Sequence, residues 1–316
     1  MYDVVIIGGS AAGLTAGIYA SRRRLKFKII TGDLGGEVAT SGIVENWPGE
    51  QSISGFDLAQ KIIAHAKSYE MEIEERLRVT AIEKIDGIFK VTAENGSGVA
   101  QVTEAKAVIV TSGIHPRLLG VPGEKDYLHK GITYCTICDG PLFKNKITAT
   151  VGSGNSALES AIMMAGIAKK VFLISNKPND AANKGGFPKG EDILVEKVKG
   201  MANVEIIYSA STTEITGNGK VVTGLKYKDA NGEEKTIETQ GVMVHIGNIP
   251  NSDFVTCASK NPLGNIVVNV RAETDCPGLF AAGDVTDTPH KQAIIAAGQG
   301  ATAILSVTEY LNRLVN

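Results

Sequence analysis

The chain has 316 residues, with 32 Lys+Arg against 34 Asp+Glu, a formal net charge of −2 and a hydrophobic content of 43%. That balance argues against a nucleic-acid-binding surface, a disordered chain and a disulfide scaffold, and the length suits about two domains. Glycine is abundant (36 residues) and aromatics scarce (5%), as expected where backbone must approach a dinucleotide closely.

The chain opens on an apolar strand, Asp3–Ile7, followed by a glycine turn, a small-residue helix (about Ala11–Arg23) and a second strand, Phe27–Thr31. No segment resembles a signal peptide and no uncharged run approaches a membrane span. A cytoplasmic chain is therefore expected. A helix over about Gly55–Tyr69 follows, then strands near Arg78–Ile85, Ile88–Ala93, Val99–Thr103 and Ala107–Gly113. The opening pattern recurs at Ile147 as strand, glycine turn, helix and strand, ending at Ile174. Pro178–Gly190 reads as a polar loop. Strands at Val204–Tyr208, Lys220–Lys228, Lys235–Thr239 and Gly241–Pro250 come next, and a helix over about Gln292–Leu314 closes the chain.

The duplication predicts an α/β fold of two Rossmann-like nucleotide-binding domains in three-layer ββα/βα form, the second inserted into the first. The outer domain is expected to comprise residues 1–114 and 246–316, and the inserted one residues 115–245. Both crossings fall in segments rich in turn formers, Ile114–Arg117 and His245–Asn248.

Each glycine turn stands between a strand and a helix, the setting in which backbone N–H groups and a helix N-terminus receive a pyrophosphate. The first, Gly8-Gly9-Ser10-Ala11-Ala12-Gly13, carries Ser at the second consensus glycine; that hydroxyl is free to touch phosphate. The second, Gly152-Ser153-Gly154-Asn155-Ser156-Ala157, follows the Gly/Ala form without exception. Gly35-Gly36-Glu37, the turn around Asn46, and Asp284 after a buried strand add candidate cofactor contacts.

Cys135 and Cys138 form a CxxC, for which three readings compete. A zinc half-site needs a second ligand pair, but Cys257 and Cys276 are 19 apart and the five histidines make no HxxxH; no metal is expected. A c-type haem needs His after the second Cys, where Asp139 stands. A dithiol–disulfide centre needs only two close sulfurs, and two nucleotide loops favour it. Asp139 is then a candidate general acid for a leaving thiolate. Cys257 and Cys276 read as buried small residues.

VVIIGGSAAG, GG-x₇-VENWPG, TYCTICDGPLF, VGSGNSA, TDCPGLFAAGDVTD and KQAIIAAGQG occur here in that order. In this the whole chain resembles the low-molecular-weight thioredoxin reductases, and it is similar to the C-terminal part of alkyl hydroperoxide reductase flavoprotein subunits. The resemblance implies a homodimeric oxidoreductase with an FAD domain and an inserted NAD(P) domain that carries the CxxC. It places FAD on Gly8, Gly9, Ser10, Ala11, Ala12, Gly13, Gly35, Gly36, Glu37, Asn46, Thr111, Gly113, Asp284, Lys291, Gln292 and Ala293. It places a nicotinamide nucleotide on Gly152, Gly154, Asn155, Ser156, Ala157, Ser175 and Lys177. Cys138 would face the flavin, Cys135 would attack the disulfide of a thioredoxin-like or glutaredoxin-like protein, and Asp139 would be the acid. The family moves the pair between flavin and partner by rotating the inserted domain, with its hinge at the two crossings.

Three departures bear on function. Thr111-Ser112 replaces Ala-Thr in the middle FAD segment, and Lys291 stands where many members have Arg. The His-Arg-Arg clamp for the NADPH phosphate is replaced by Ser175-Asn176-Lys177, which supplies no bidentate guanidinium. NADPH, NADH and a non-nicotinamide donor such as ferredoxin therefore all stay open. So does service to a peroxiredoxin system instead of thioredoxin, although flavoproteins of that kind usually carry an N-terminal extension that this sequence does not show.

Overall fold

The computed structural model describes residues 1–314. The chain divides into two units, Met1–His115 with Ile249–Asn316, and Pro116–Asn248. The crossings are short strands, Ile114–Pro116 and Asn248–Pro250, which pair with each other.

In the first unit, Tyr2–Gly9 lies parallel to Phe27–Leu34 on one side and to Ala100–Val110 on the other. Successive residues of the opening strand alternate between two cores, as a pleated strand requires. Val4 and Ile6 face a core with Leu14, Phe280, Ile304 and Val307, under the helices Ala11–Arg22 and Ala293–Leu314. Val5 and Ile7 face the other core, with Phe89, Val91 and Leu279. A sheet filled on both faces explains the near-continuous apolar run VVII. Gly300 has no room for a side chain, because a Cβ there would overlap the Ala12 carbonyl; the two helices touch backbone to backbone.

The segments expected as two strands at Val99–Thr103 and Ala107–Gly113 form one strand, Ala100–Val110. Its first part pairs antiparallel with Ile88–Glu94 and its last part parallel with Leu279–Ala281. Glu104 and Lys106 interrupt the apolar pattern without breaking the strand. Glu104 is exposed, and Lys106 reaches Asp3 at 2.9 Å.

The second unit has a five-stranded parallel sheet in the order Ile132–Thr133, Gly241–Val244, Ile147–Val151, Lys170–Ile174, Val204–Ile207. A three-stranded antiparallel sheet follows in sequence, Ser211–Gly217, Val222–Lys228 and Glu234–Glu238. Each unit thus has the strand–turn–helix–strand organisation expected of a Rossmann-like fold. The segment expected as one strand, Gly241–Pro250, is interrupted over 245–247, where Gly247 takes φ +112°, and resumes at Asn248. Elements absent from the sequence-based expectation include the strand Ser211–Gly217 and the helix Asp192–Lys199, whose Val195 and Val198 are buried. Among the described residues no helix is long and apolar enough to cross a membrane.

Candidate redox pair and nucleotide cradles

Cys135 and Cys138 form a disulfide, with Cα atoms 5.3 Å apart. The strand Ile132–Thr133 delivers Cys135 to the N-cap of a short helix, Thr136–Asp139. The N–H of Cys138 points at Cys135 Sγ, 3.3 Å away. A donor so placed stabilises negative charge on that sulfur once the bond opens. Both cysteines are half-buried, and Ile137 between them is exposed.

Asp139 is buried. The Thr133 hydroxyl donates to its Oδ2 and in turn accepts from the N–H of Cys135 at 3.0 Å. Asp139 Oδ1 is buried and has no hydrogen-bond partner among the described residues. Burial raises the carboxyl above its ordinary value, and the Thr133 bond only partly opposes this. The side chain is therefore suited to hold a proton within the CxxC motif.

One residue after Cys135, the Thr136 hydroxyl lies 2.6 Å from Ser160 Oγ and 2.7 Å from His245 Nε2. Burial pushes His245 down to about 4, so its ring is neutral at pH 7. In the sequence His245 stands out only as part of a crossing. Its alternation within GVMVH puts it at a strand end, but nothing there indicates its link to Thr136.

The first glycine turn is closely packed. Gly8 adopts φ +115° against the Thr111 carbonyl, and a Cβ at Gly13 would overlap the Gly8 carbonyl. Thr111 Oγ1 donates to the Ile7 carbonyl at 2.7 Å. Ser10, whose hydroxyl was expected to be free for phosphate, donates to the Gly35 carbonyl at 2.6 Å. It ties the first turn to Gly35-Gly36, where Gly36 has φ +52°, and Glu37 lies in the first turn of the helix Gly36–Thr40. Asp284 follows Gly283, which lies against Ala12 and Ala296, near the starts of the two long helices. Burial raises Asp284 and lowers Lys291. Lys291 donates to the Thr286 carbonyl at 2.6 Å, and Gln292 accepts from Asn46 at 3.1 Å. Ala293 begins the last helix. Gly113, at φ +69°, has open space where a side chain would point.

In the second turn Gly152, at φ +153°, lies against the His245 carbonyl, and Gly154 is the N-cap of the helix Asn155–Ala165. Asn155 and Glu191 bond reciprocally at 2.8 Å, and Lys189 bridges to Gly154. Ser156 is exposed and Ala157 buried. Ser175, expected to face the nucleotide, is 0% exposed. Its hydroxyl donates to the Gly186 carbonyl at 2.6 Å and accepts from the Lys177 N–H at 3.2 Å. The segment expected as a plain polar loop is thus anchored, with Phe187 fully buried.

Cys257 and Cys276 are free thiols in one apolar cluster. Burial pushes Cys276 up to about 12, which suits an inert thiol.

Residues 2–300 match the family model described as pyridine nucleotide-disulphide oxidoreductase. The chain belongs to that family. It is an oxidoreductase by that membership, and its two Rossmann-like units are the architecture seen in relatives of known structure. It is 39% identical, over 99% of its length, to the F subunit of alkyl hydroperoxide reductase from Pseudomonas aeruginosa, and 39% identical to the protein of the same name from Staphylococcus aureus. It spans 58% and 59% of the length of these two relatives. Among solved structures, thioredoxin reductase from Streptococcus pyogenes superposes with a TM-score of 0.88 at 32% identity, covering 99% of both chains. Thioredoxin reductase from T. acidophilum is 39% identical with a TM-score of 0.65, again covering 99% of both.

Proposed function

We propose that this family member is an FAD-dependent disulfide reductase that passes electrons from NADPH or NADH to the Cys135–Cys138 pair and then to a thioredoxin-like protein. The observation that carries the reading is the disulfide itself, next to a buried carboxyl with a raised pKa and one oxygen that has no partner among the described residues. The likeness to thioredoxin reductases over whole chains supports it.

The first unit fits a flavin dinucleotide. Gly8 and Gly13 leave no room for side chains of their own, and the helix Ala11–Arg22 starts directly at the turn with no side-chain cap. In this reading Gly8 to Gly13, Gly35, Gly36, Glu37, Asn46, Thr111, Gly113, Asp284, Lys291, Gln292 and Ala293 hold FAD, and Ser10 acts by fixing Gly35 rather than by touching phosphate. Bound flavin supplies two-electron exchange between nicotinamide and disulfide. The chain's residues manage the sulfurs and the proton. Two electrons break the Cys135–Cys138 bond; Asp139 protonates one sulfur, and the Cys138 N–H steadies charge on the other. Cys135 then attacks the partner's disulfide, and Cys138 resolves the mixed disulfide. Exposed Ile137 and Leu142 beside the pair suit a protein partner. The family resemblance also supports a cytoplasmic homodimer.

A second reading, electron supply to a peroxiredoxin system, is favoured by the alkyl hydroperoxide reductase relatives. In both readings the donor binds the second turn through Gly152, Gly154, Asn155, Ser156 and Ala157. Lys177, Lys184 and Lys189 are the cations proposed for its phosphate, and Ser175, whose hydroxyl is engaged by the Gly186 carbonyl and the Lys177 N–H, is proposed to act by fixing the loop rather than by touching the nucleotide. NADPH ranks first and NADH second. The missing guanidinium clamp keeps a ferredoxin-type donor as the alternative.

Anaerobic mixing with NADPH, NADH or reduced ferredoxin, followed by flavin absorbance, tests the donor. Bleaching by NADPH at lower concentration than NADH is expected. Bleaching by ferredoxin alone would exclude both nicotinamides.

A further inference from the structure

The strand that carries the redox pair is short. Ile132–Thr133 pairs with its neighbour through only two residues. At its exit successive side chains point to opposite sides, as in any strand. Thr133 turns to Asp139 and the Cys135 N–H. Tyr134 turns the other way, and its hydroxyl donates to Glu124 Oε1 at 2.7 Å.

Glu124 is 3% exposed, unusual for a carboxylate that has no ion pair among the described residues. Its Oε1 also accepts from the Leu119 N–H at 2.7 Å, and its Oε2 accepts from the Gly120 N–H at 2.8 Å. Three donors thus converge on one buried side chain. The segment that presents it is itself fixed. Ile215 N–H donates to the Pro122 carbonyl at 3.0 Å, and a Cβ at Gly123 would overlap the Ile215 carbonyl. Arg117 N–H, at the start of the segment, donates to the Gly247 carbonyl at 2.9 Å. The segment 117–124 is thus anchored along its length, and its Glu124 holds the residue before Cys135.

We infer that Glu124, acting through the Tyr134 hydroxyl, is a positioning residue for Cys135. It holds the exit of a two-residue strand so that the Cys135 sulfur stays within bonding reach of Cys138. This rests on the redox reading of the pair, and deepens it. Holding the two thiols close favours the disulfide, because less freedom is lost when it closes. Loosening the exit shifts the equilibrium toward the dithiol.

The test equilibrates the full FAD-loaded chain in dithiothreitol buffers of graded ratio, with alkylation and mass analysis of Cys135 and Cys138. Dithiothreitol gives two electrons and two protons to the pair; its own thiols close a disulfide as the Cys135–Cys138 bond opens. Tyr134→Phe, which loses one hydroxyl and keeps the ring, and Glu124→Gln are each expected to ease reduction about three- to tenfold. The double variant is expected to shift by less than the product of the singles, since Tyr134→Phe removes, and Glu124→Gln weakens, the same contact. Midpoints within about twofold of the unaltered chain in both singles overturn the inference, even if thermal stability falls, because a purely structural role moves stability alone. A double variant that shifts by the product of the singles also overturns it. An unaltered pair that never exchanges with dithiothreitol contradicts the redox reading itself; a pair that cycles while both variants stay unshifted contradicts only the positioning role.

Discussion

Cys138→Ser is expected to lower disulfide reduction by at least about a thousandfold, on the order of 4 kcal/mol of barrier, while FAD stays bound. The size follows from the role. With one sulfur gone, no intramolecular disulfide can accept two electrons, and no second thiol can resolve a mixed disulfide with the partner. Retention of FAD follows from the division of the chain, since the proposed flavin cradle lies in the first unit and Cys138 in the second. The altered side chain is half-buried and nearly isosteric, so folding should persist. Turnover with a thioredoxin, together with the flavin spectrum, checks both halves. Substantial disulfide reduction by the variant would overturn the assignment.

Asp139→Asn is expected to slow disulfide turnover about a hundredfold or more, the usual scale for removing a placed general acid. The shape is right for a clean test, because asparagine keeps an oxygen for the Thr133 hydroxyl. Its stability effect has the opposite sign. An unfolded aspartate releases its proton near about pH 4, whereas burial raises the folded carboxyl above its ordinary value. Between those two values the folded state holds more protons than the unfolded one, so its stability falls as pH rises. The stability this group contributes is present at low pH and lost as pH climbs through the folded pKa. Asp139→Asn removes that slope. The variant should be the more stable protein at pH 7, by a margin that shrinks toward pH 4. Thermal midpoints across pH, set beside turnover rates, check this. A variant that is less stable at pH 7 and fully active would contradict the role given to Asp139.

What can be read from the sequence is what lies close along the chain. Both glycine turns declare themselves because strand, turn and helix are contiguous, and Cys135, Cys138 and Asp139 fall within five positions. What cannot be read depends on contacts between distant positions. Ser10 looks free for phosphate because nothing near it in sequence claims its hydroxyl; Gly35, 25 residues on, does. Ser175 looks available for the same reason, until the loop returns Gly186 to it. Nothing in the sequence marks Glu124 either; its partners lie only four to ten residues away, but two of them are backbone donors, which any residue supplies, and only the fold turns them toward it. The strand Ala100–Val110 reads as two because two charged residues mask a continuous register. The helix Asp192–Lys199 is hard to see because its buried face is narrow, although its valines repeat at helical spacing.

The claim on which the rest depends is that flavin and Cys pair form one redox unit. Anaerobic titration of the FAD-loaded chain with dithionite, counting electrons to full reduction, tests it most directly. About four electrons per chain are expected, two for the flavin and two for the disulfide, falling to about two in Cys138→Ser. Two electrons in the unaltered chain, with the Cys135–Cys138 bond still closed, would contradict it.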